Sequence, residues 1–241
     1  MNLLKPFLKV LVVLFISSLG GVYASEVSPI SGALLNQDGQ ISEPLKLLFV
    51  FTIISIVPAL LISMTAFTRI IIVLSILRQA LGLQSTPPNI VLISIAVFLT
   101  VLSLKPIVHD AETRIVTPWE SGALSDREAF DEITDIVTKH LQKHVREDDY
   151  VFIDELVEGE GSELFTLIPA YMLSELRIAF EIGFLILIPF LLIDIIVAST
   201  LMAVGMIMVP PLIISLPIKL LVFVMVDGWK LVIEALFKTI V

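Results

Sequence analysis

LMAVGMIMVPPLIISLPIKLLVFVMVDGW, residues Leu201–Trp229, sets two long apolar runs against each other across Gly205-Met206-Ile207-Met208-Val209-Pro210-Pro211. One glycine and a proline pair demand a turn at that point, yet the turn is itself almost wholly apolar. Turns between membrane helices are ordinarily polar, because they sit in water or among headgroups. A turn of methionine and proline is therefore either buried in protein or lines something that needs a soft, non-adhesive surface. Methionine is flexible and polarisable and re-packs around varied shapes, which points to a constriction more than to an anchor.

Around this segment the composition is that of a membrane protein. Of the 241 residues 57% are hydrophobic and 16% charged, and the mean hydropathy is +1.00, against roughly 45–50% apolar and about 25% charged in soluble domains. Cysteine is absent, which excludes disulfides, thiolate metal sites and cysteine nucleophiles. The net charge of -9 is uneven: residues 106–163 hold sixteen acids and five bases, and the rest eight acids and ten bases. The acidic excess belongs to one soluble insertion, and nucleic acid is not the partner such a surface selects.

Residues 1–24 read as a secretory signal peptide. Lys5 and Lys9 supply the positive start, Val10–Leu19 the short apolar core, and Val22 and Ala24 the small residues a signal peptidase reads, with cleavage between Ala24 and Ser25. An uncleaved first membrane helix is the alternative, but ten apolar residues are short for about 30 Å of hydrocarbon. Residues 25–43 form a polar leader. The N-terminal hydrophobic helices occupy 44–105: a span over Leu45–Phe67 kinked at Pro58, a second piece over Ile70–Leu83, and a span over Ile90–Leu104 after the breaker Ser85-Thr86-Pro87-Pro88-Asn89. Arg69 and Arg78 are the only charges between the first two, so the positive-inside rule places that connection in the cytoplasm and the mature N-terminus outside it.

The acidic insertion, 106–163, then lies on the outer side. Ser125-Asp126-Arg127-Glu128 matches a capping box, and Phe130, Ile133, Val137 and Leu141 recur at helical spacing. That stripe docks on a partner or on its own neighbours, or else belongs to a solvated acidic helix. The C-terminal hydrophobic helices, 164–241, begin with Leu164–Val204, too long for one upright span and punctuated by Pro169 and Pro189, so a broken helix or helical hairpin is expected. A last span, Leu212–Val226, continues as an amphipathic tail. The fold class is all-α: membrane-associated helical hairpins with a partly helical acidic extracytoplasmic insertion.

Glu175, Arg177, Glu181, Asp194, Lys219 and Asp227 lie within apolar segments. Such residues are costly unless paired or facing water, and they mark either an ion or proton path or a structural pairing between helices or subunits. Both signs occur in similar number, which favours pairing, and Glu175 with Lys219 is the expected pair, across a subunit boundary. His140 and His144, four apart, lack a third ligand or an HExxH pattern and read as a solvated helix face. No phosphate loop, nucleophile elbow or Ser/His/Asp arrangement is present, and Ser63, Ser75, Ser94, Ser103 and Ser174 suit helix packing. These residues outline no enzyme and call for no cofactor or metal.

Three blocks, Ser63–Asn89 (SMTAFTRIIIVLSILRQALGLQSTPPN), Pro169–Ser199 (PAYMLSELRIAFEIGFLILIPFLLIDIIVAS) and Leu201–Trp229, closely resemble the FliP family, the export-gate subunits of flagellar type III secretion with relatives in virulence injectisomes. The resemblance covers 45–105 and 164–229. It implies a homopentamer that joins FliQ-type and FliR-type subunits, and a FlhB-type switch protein, in a protein-conducting gate for exported flagellar polypeptides. The site it implies is the bacterial inner membrane at the flagellar basal body, with the insertion in the periplasm. The methionine turn corresponds to the family's gasket loop: Met206, Ile207 and Met208 would line the pore, with Gly205, Pro210 and Pro211 shaping the turn. Family members often carry three consecutive methionines there, and Ile207 departs from that pattern while keeping the apolar seal. An injectisome gate subunit is the alternative within the family. A secondary transporter is the alternative outside it, and that would call for internal repeats the sequence does not display.

Overall fold

Every regular element among the described residues is helical. The computed structural model describes residues 43–157, 163–206 and 208–240. The cleavage site at Ala24 and Ser25, nearly all of the polar leader, and Ile207 lie outside the described residues. In chain order the helices are α1 (Glu43–Ser63), α2 (Phe67–Ala80), α3 (Asn89–Ser103), α4 (Lys105–Ala111), a π-helical turn (Glu112–Val116), α5 (Thr117–Glu120), α6 (Asp126–His144), α7 (Glu147–Leu156), α8 (Glu163–Ala203), α9 (Pro211–Met225) and α10 (Gly228–Ile240). The described residues fall into two units, one of 43–64 with 106–143 and the other of 65–105 with 144–240.

Helix α2 is the centre of the second unit. Ile70, Val73, Leu74, Leu77 and Leu81 recur at spacings of three and four and are almost completely buried, the stripe that a helix of 3.6 residues per turn lays against a neighbour. Leu92, Ala96 and Leu99 of α3, Ala179 and Phe190 of α8, Phe223 of α9 and Leu236 of α10 complete the same core. Where α2 meets α8, Gly183 lets the two helices approach: a Cβ there would lie 2.3 Å from Ile76 Cδ1.

Two boundaries differ from expectation. The first break falls at 64–66, so Arg69 lies inside α2 rather than ending a span, and its burial removes it as a mark of cytoplasmic topology. Leu164–Val204 is neither broken nor a hairpin: α8 runs unbroken for 41 residues through Pro169 and Pro189. Each proline forfeits one backbone hydrogen bond, a loss that the packing of α8 along α2 outweighs. By length and composition α8 suffices to cross a membrane, and α9 with α10, bent by 65° at 226–227, passes the same test as a pair.

In the first unit the capping box forms as read. Ser125 N and Oγ both donate to Glu128 Oε2, at 2.8 and 2.7 Å, and Glu128 N returns a longer bond to Ser125 Oγ. Of the expected stripe of α6, Ile133 and Leu141 are buried and Val137 packs on the same core as Ile133. Ala129, Ile133 and Ile136 pack on Ala111 and Ile115, with Trp119 and Val137 against them, while Phe130 stands 46% exposed at the edge. The insertion thus has a small apolar core of its own.

Candidate functional site

The apolar turn is built by two end signals in succession. Gly205 adopts φ +81°, the left-handed conformation that only glycine takes without strain. Its N–H donates to the Met202 carbonyl at 3.1 Å, and Met206 N–H donates to that of Leu201 at 2.9 Å. These are the two bonds of a Schellman motif, which satisfies the last carbonyls of α8 and reverses the chain. On the far side Pro210 is extended at ψ 120°, as a residue before proline must be. Pro211 opens α9, where its missing N–H costs nothing. Between them Met206 is 44% and Met208 96% exposed. The structure thus brings Gly205, Met206, Met208, Pro210 and Pro211 into one tight turn that presents thioether side chains outward.

Below the turn, buried charges fasten the helices at two levels. At the first, Arg69 of α2 is 2% exposed and Glu175 of α8 is 1% exposed. Arg69 Nε donates to Glu175 Oε2 at 2.8 Å and Nη2 donates to Oε1, a bidentate fork. The third arm, Nη1, donates to the Thr239 carbonyl at 2.7 Å, in the last turn of α10, where a cation meets the negative end of the helix dipole. At the second level Lys219 of α9, 3% exposed, donates to Asp194 Oδ2 of α8 at 2.6 Å and to the carbonyl of Ala80, the last residue of α2, at 3.1 Å. The two levels share one plan. In each, a buried cation carries a carboxylate from α8 and closes the C-terminal end of another helix.

This corrects the expected Glu175–Lys219 pair. Both residues are buried and ion-paired within the chain, but to Arg69 and to Asp194. Leaving either partner of such a pair alone costs about 3–5 kcal/mol, so each charge has its match close by. Sequence reasoning missed Arg69 as a partner because Glu175 is 106 positions away. The only signal was the arginine's place among apolar residues at helical spacing.

A third polar cluster joins α7 to α8. Asp149, 1% exposed, accepts from Ser174 Oγ at 2.8 Å and pairs with Arg177 Nη2 at 2.7 Å, while Arg146 N–H donates to Ser174 Oγ at 3.0 Å. Ser174 is thus a polar link rather than a packing residue. Glu181 pairs with Arg146 near the surface at 3.3 Å, and Asp227 occupies the positive-φ turn between α9 and α10. His144 also departs from expectation. Its Nε2 lies 3.1 Å from the Ile240 carbonyl, a contact that requires the proton on that nitrogen.

Long apolar helices fastened by ion pairs with buried cations, one helix long enough to cross a membrane, and a protruding methionine turn define an all-helical protein of membrane type among the described residues. The FliP family model matches residues 40–236. The flagellar biosynthetic protein FliP of Bacillus subtilis is 43% identical over 205 residues, covering 83% of this chain and 93% of that protein. The protein of the same name from Aquifex aeolicus is 39% identical over 242 aligned positions, covering 96% and 98%. That of Pectobacterium carotovorum is 42% identical over 198 residues, covering 80% and 77%. The chain belongs to the FliP family.

Proposed function

We propose that the chain is a core subunit of the flagellar type III protein export gate and that its turn at 205–211 is the gasket of the protein-conducting pore. The observation that carries this reading is the near-complete exposure of Met208 at the tip of an apolar turn. A side chain that filled a gap between this chain's own helices would be covered. Repeated round a ring, Met206, Ile207 and Met208 make an apolar iris. Water and hydrated ions gain no polar partners in such a constriction, which closes by dewetting, while thioether chains yield to passing side chains of many sizes.

The outward face of α8 supports assembly. Phe180, Phe184, Leu185, Leu192, Ile195 and Ile196 are each more than half exposed, an apolar surface far too large for water. Copies of the chain, as a homopentamer, and FliQ-type and FliR-type subunits cover it, with lipid of the inner membrane at the rim and a FlhB-type protein alongside. The acidic insertion projects into the periplasm, and flagellar polypeptides are the cargo. The chain positions and seals, and nothing in this role needs a cofactor or a catalytic residue.

The chain has no cysteine, so a single Met208→Cys reports from one place. With an export substrate arrested in passage, a cysteine-reactive photocrosslinker at 208 should capture that substrate. Capture of lipid or of neighbouring helices alone would reject the pore position.

A further inference from the structure

We infer that Asp194 and Lys219 act together as the positioning element of the methionine turn, fixing how far it projects. The inference rests on the gasket reading above and adds residues that touch neither pore nor cargo. Asp194 lies nine residues before Ala203, the end of α8, and Lys219 eight residues after Pro211, the start of α9. At about 1.5 Å per residue the pair sits at nearly equal depth on the two arms of one hairpin, about 12–14 Å below the helix ends that carry the turn. Between the two residues the sequence holds no other ionisable side chain. The serines and threonine of the arms spend their hydroxyls on their own helices: Ser199 bonds to Ile195 and Ile196, Thr200 to Ile196 and Ser215 to Leu212. Apolar helix faces slide past one another with little directional preference, whereas an ion pair between a buried lysine and an aspartate that is 32% exposed sets a preferred register.

Two further observations tie the pair to the turn. Asp194 Oδ1 is buried and takes no hydrogen bond among the described residues, so within them Lys219 is what holds the carboxylate in place. Lys219 also grips the Ala80 carbonyl. Two residues on, Gly82, at φ +77°, ends α2, and a Cβ placed on it would lie 3.7 Å from Leu212 Cδ1 and 3.8 Å from Leu216 Cδ1. The first turn of α9 is thus braced on the end of α2, and Lys219 is the bond that holds the brace closed. With Lys219 released, α9 slides against α8 and the methionines leave their common level while the rest of the core, Arg69–Glu175 included, stays intact.

The test compares the assembled gate, reconstituted in vesicles, in four forms: parent, Asp194→Asn, Asp194→Glu and the Met206→Ala/Met208→Ala double variant. Assembly is read by native gel and leak by potassium flux per assembled complex. Asp194→Asn, whose amide oxygen still accepts from Lys219 but without the charge, does not strand the lysine; it should assemble as the parent does and leak on the order of tenfold more, as a modest shift between two loop positions changes their populations. Asp194→Glu, which can still reach Lys219, should restore most of the seal, and a merely space-filling role would not be rescued by charge. A tight Asp194→Asn beside a leaking methionine variant overturns the positioning role and leaves the gasket standing. Tightness in both overturns gasket and positioning together. Failure of Asp194→Asn to assemble assigns the pair to folding and overturns the inference as well.

Discussion

Arg69 and Glu175 meet fork to carboxylate at the crossing of α2 and α8, both almost wholly removed from solvent, while the same guanidinium closes the end of α10 through the Thr239 carbonyl. One side chain from the first third of the chain thereby fixes three helices that the sequence scatters over 170 positions.

Arg69→Ala should therefore destabilise the helical unit by about 3–5 kcal/mol, because it strands Glu175 in an apolar core. Arg69→Lys should recover little, since an ammonium cannot reproduce the two-pronged contact or reach the Thr239 carbonyl at the same time. Thermal unfolding of the purified full chain in detergent, followed by helicity, measures this. A lysine variant as stable as the parent would show that charge alone suffices.

Gly183 gives a second, independent measure of the same crossing. Alanine gains about 1 kcal/mol of helix propensity, but its Cβ would meet Ile76 at 2.3 Å at Cδ1 and at 3.2 Å at Cγ2. Overpacking of this kind costs about 1–3 kcal/mol, so Gly183→Ala should be neutral to mildly destabilising and Gly183→Val clearly worse. Gly183→Ala combined with Ile76→Val should lie closer to the parent than Gly183→Ala alone. The melting midpoints of the four proteins decide this.

The insertion should respond to acid. The backbone and hydroxyl of Ser125 hold Glu128 below its ordinary value of 4.5, and Lys139 and Arg114 hold Asp135 below its ordinary 3.8. A depressed folded-state value means that the stabilisation is complete above the unfolded value and is lost as pH falls through the folded one. Helicity of the full chain, followed from about pH 6 to about pH 3, should decline at the acid end. Glu128→Gln should flatten part of that decline. A pH profile unchanged by the substitution would remove the capping box as its source.

Processing gives a further prediction. Protein extracted from membranes should begin at Ser25, as Val22-Tyr23-Ala24 directs. N-terminal sequencing that returns Met1 or Asn2 would reject the signal peptide.

Local chemistry was legible in the sequence, and pairings at a distance were not. The capping box at Ser125 and Glu128 and the glycine–proline turn at 205–211 each depend on neighbours a few positions apart, so their residues declare them. The continuity of α8 was hidden because Pro169 and Pro189 break helices on their own, and packing against α2, α7 and α9 holds the helix through them. In the stripe of α6, Ile133, Val137 and Leu141 were read rightly and Phe130 was not: Ala129 beside it is too small to stand out, yet it is fully buried, whereas the larger Phe130 is 46% exposed. Arg69 looked like the end of a span because a lone charge in an apolar run suggests an exit to water. Its partner Glu175 lies far along the chain, and no spacing reveals such a pair. Lys219 was rightly marked as needing an acid, but Asp194, 25 positions back along the same hairpin, was nearer than the acid first expected.

If the methionine turn seals a pore, the ion permeability of the assembled gate must respond to Met206→Ala and Met208→Ala. Truncating two exposed side chains, 44% and 96% accessible, removes no core contact, so assembly should be unaffected. The constriction, however, widens and wets, and potassium flux through vesicles holding the complex should rise well above that of the parent. A fully assembled double variant that stays as tight as the parent would show that these methionines do not seal the pore.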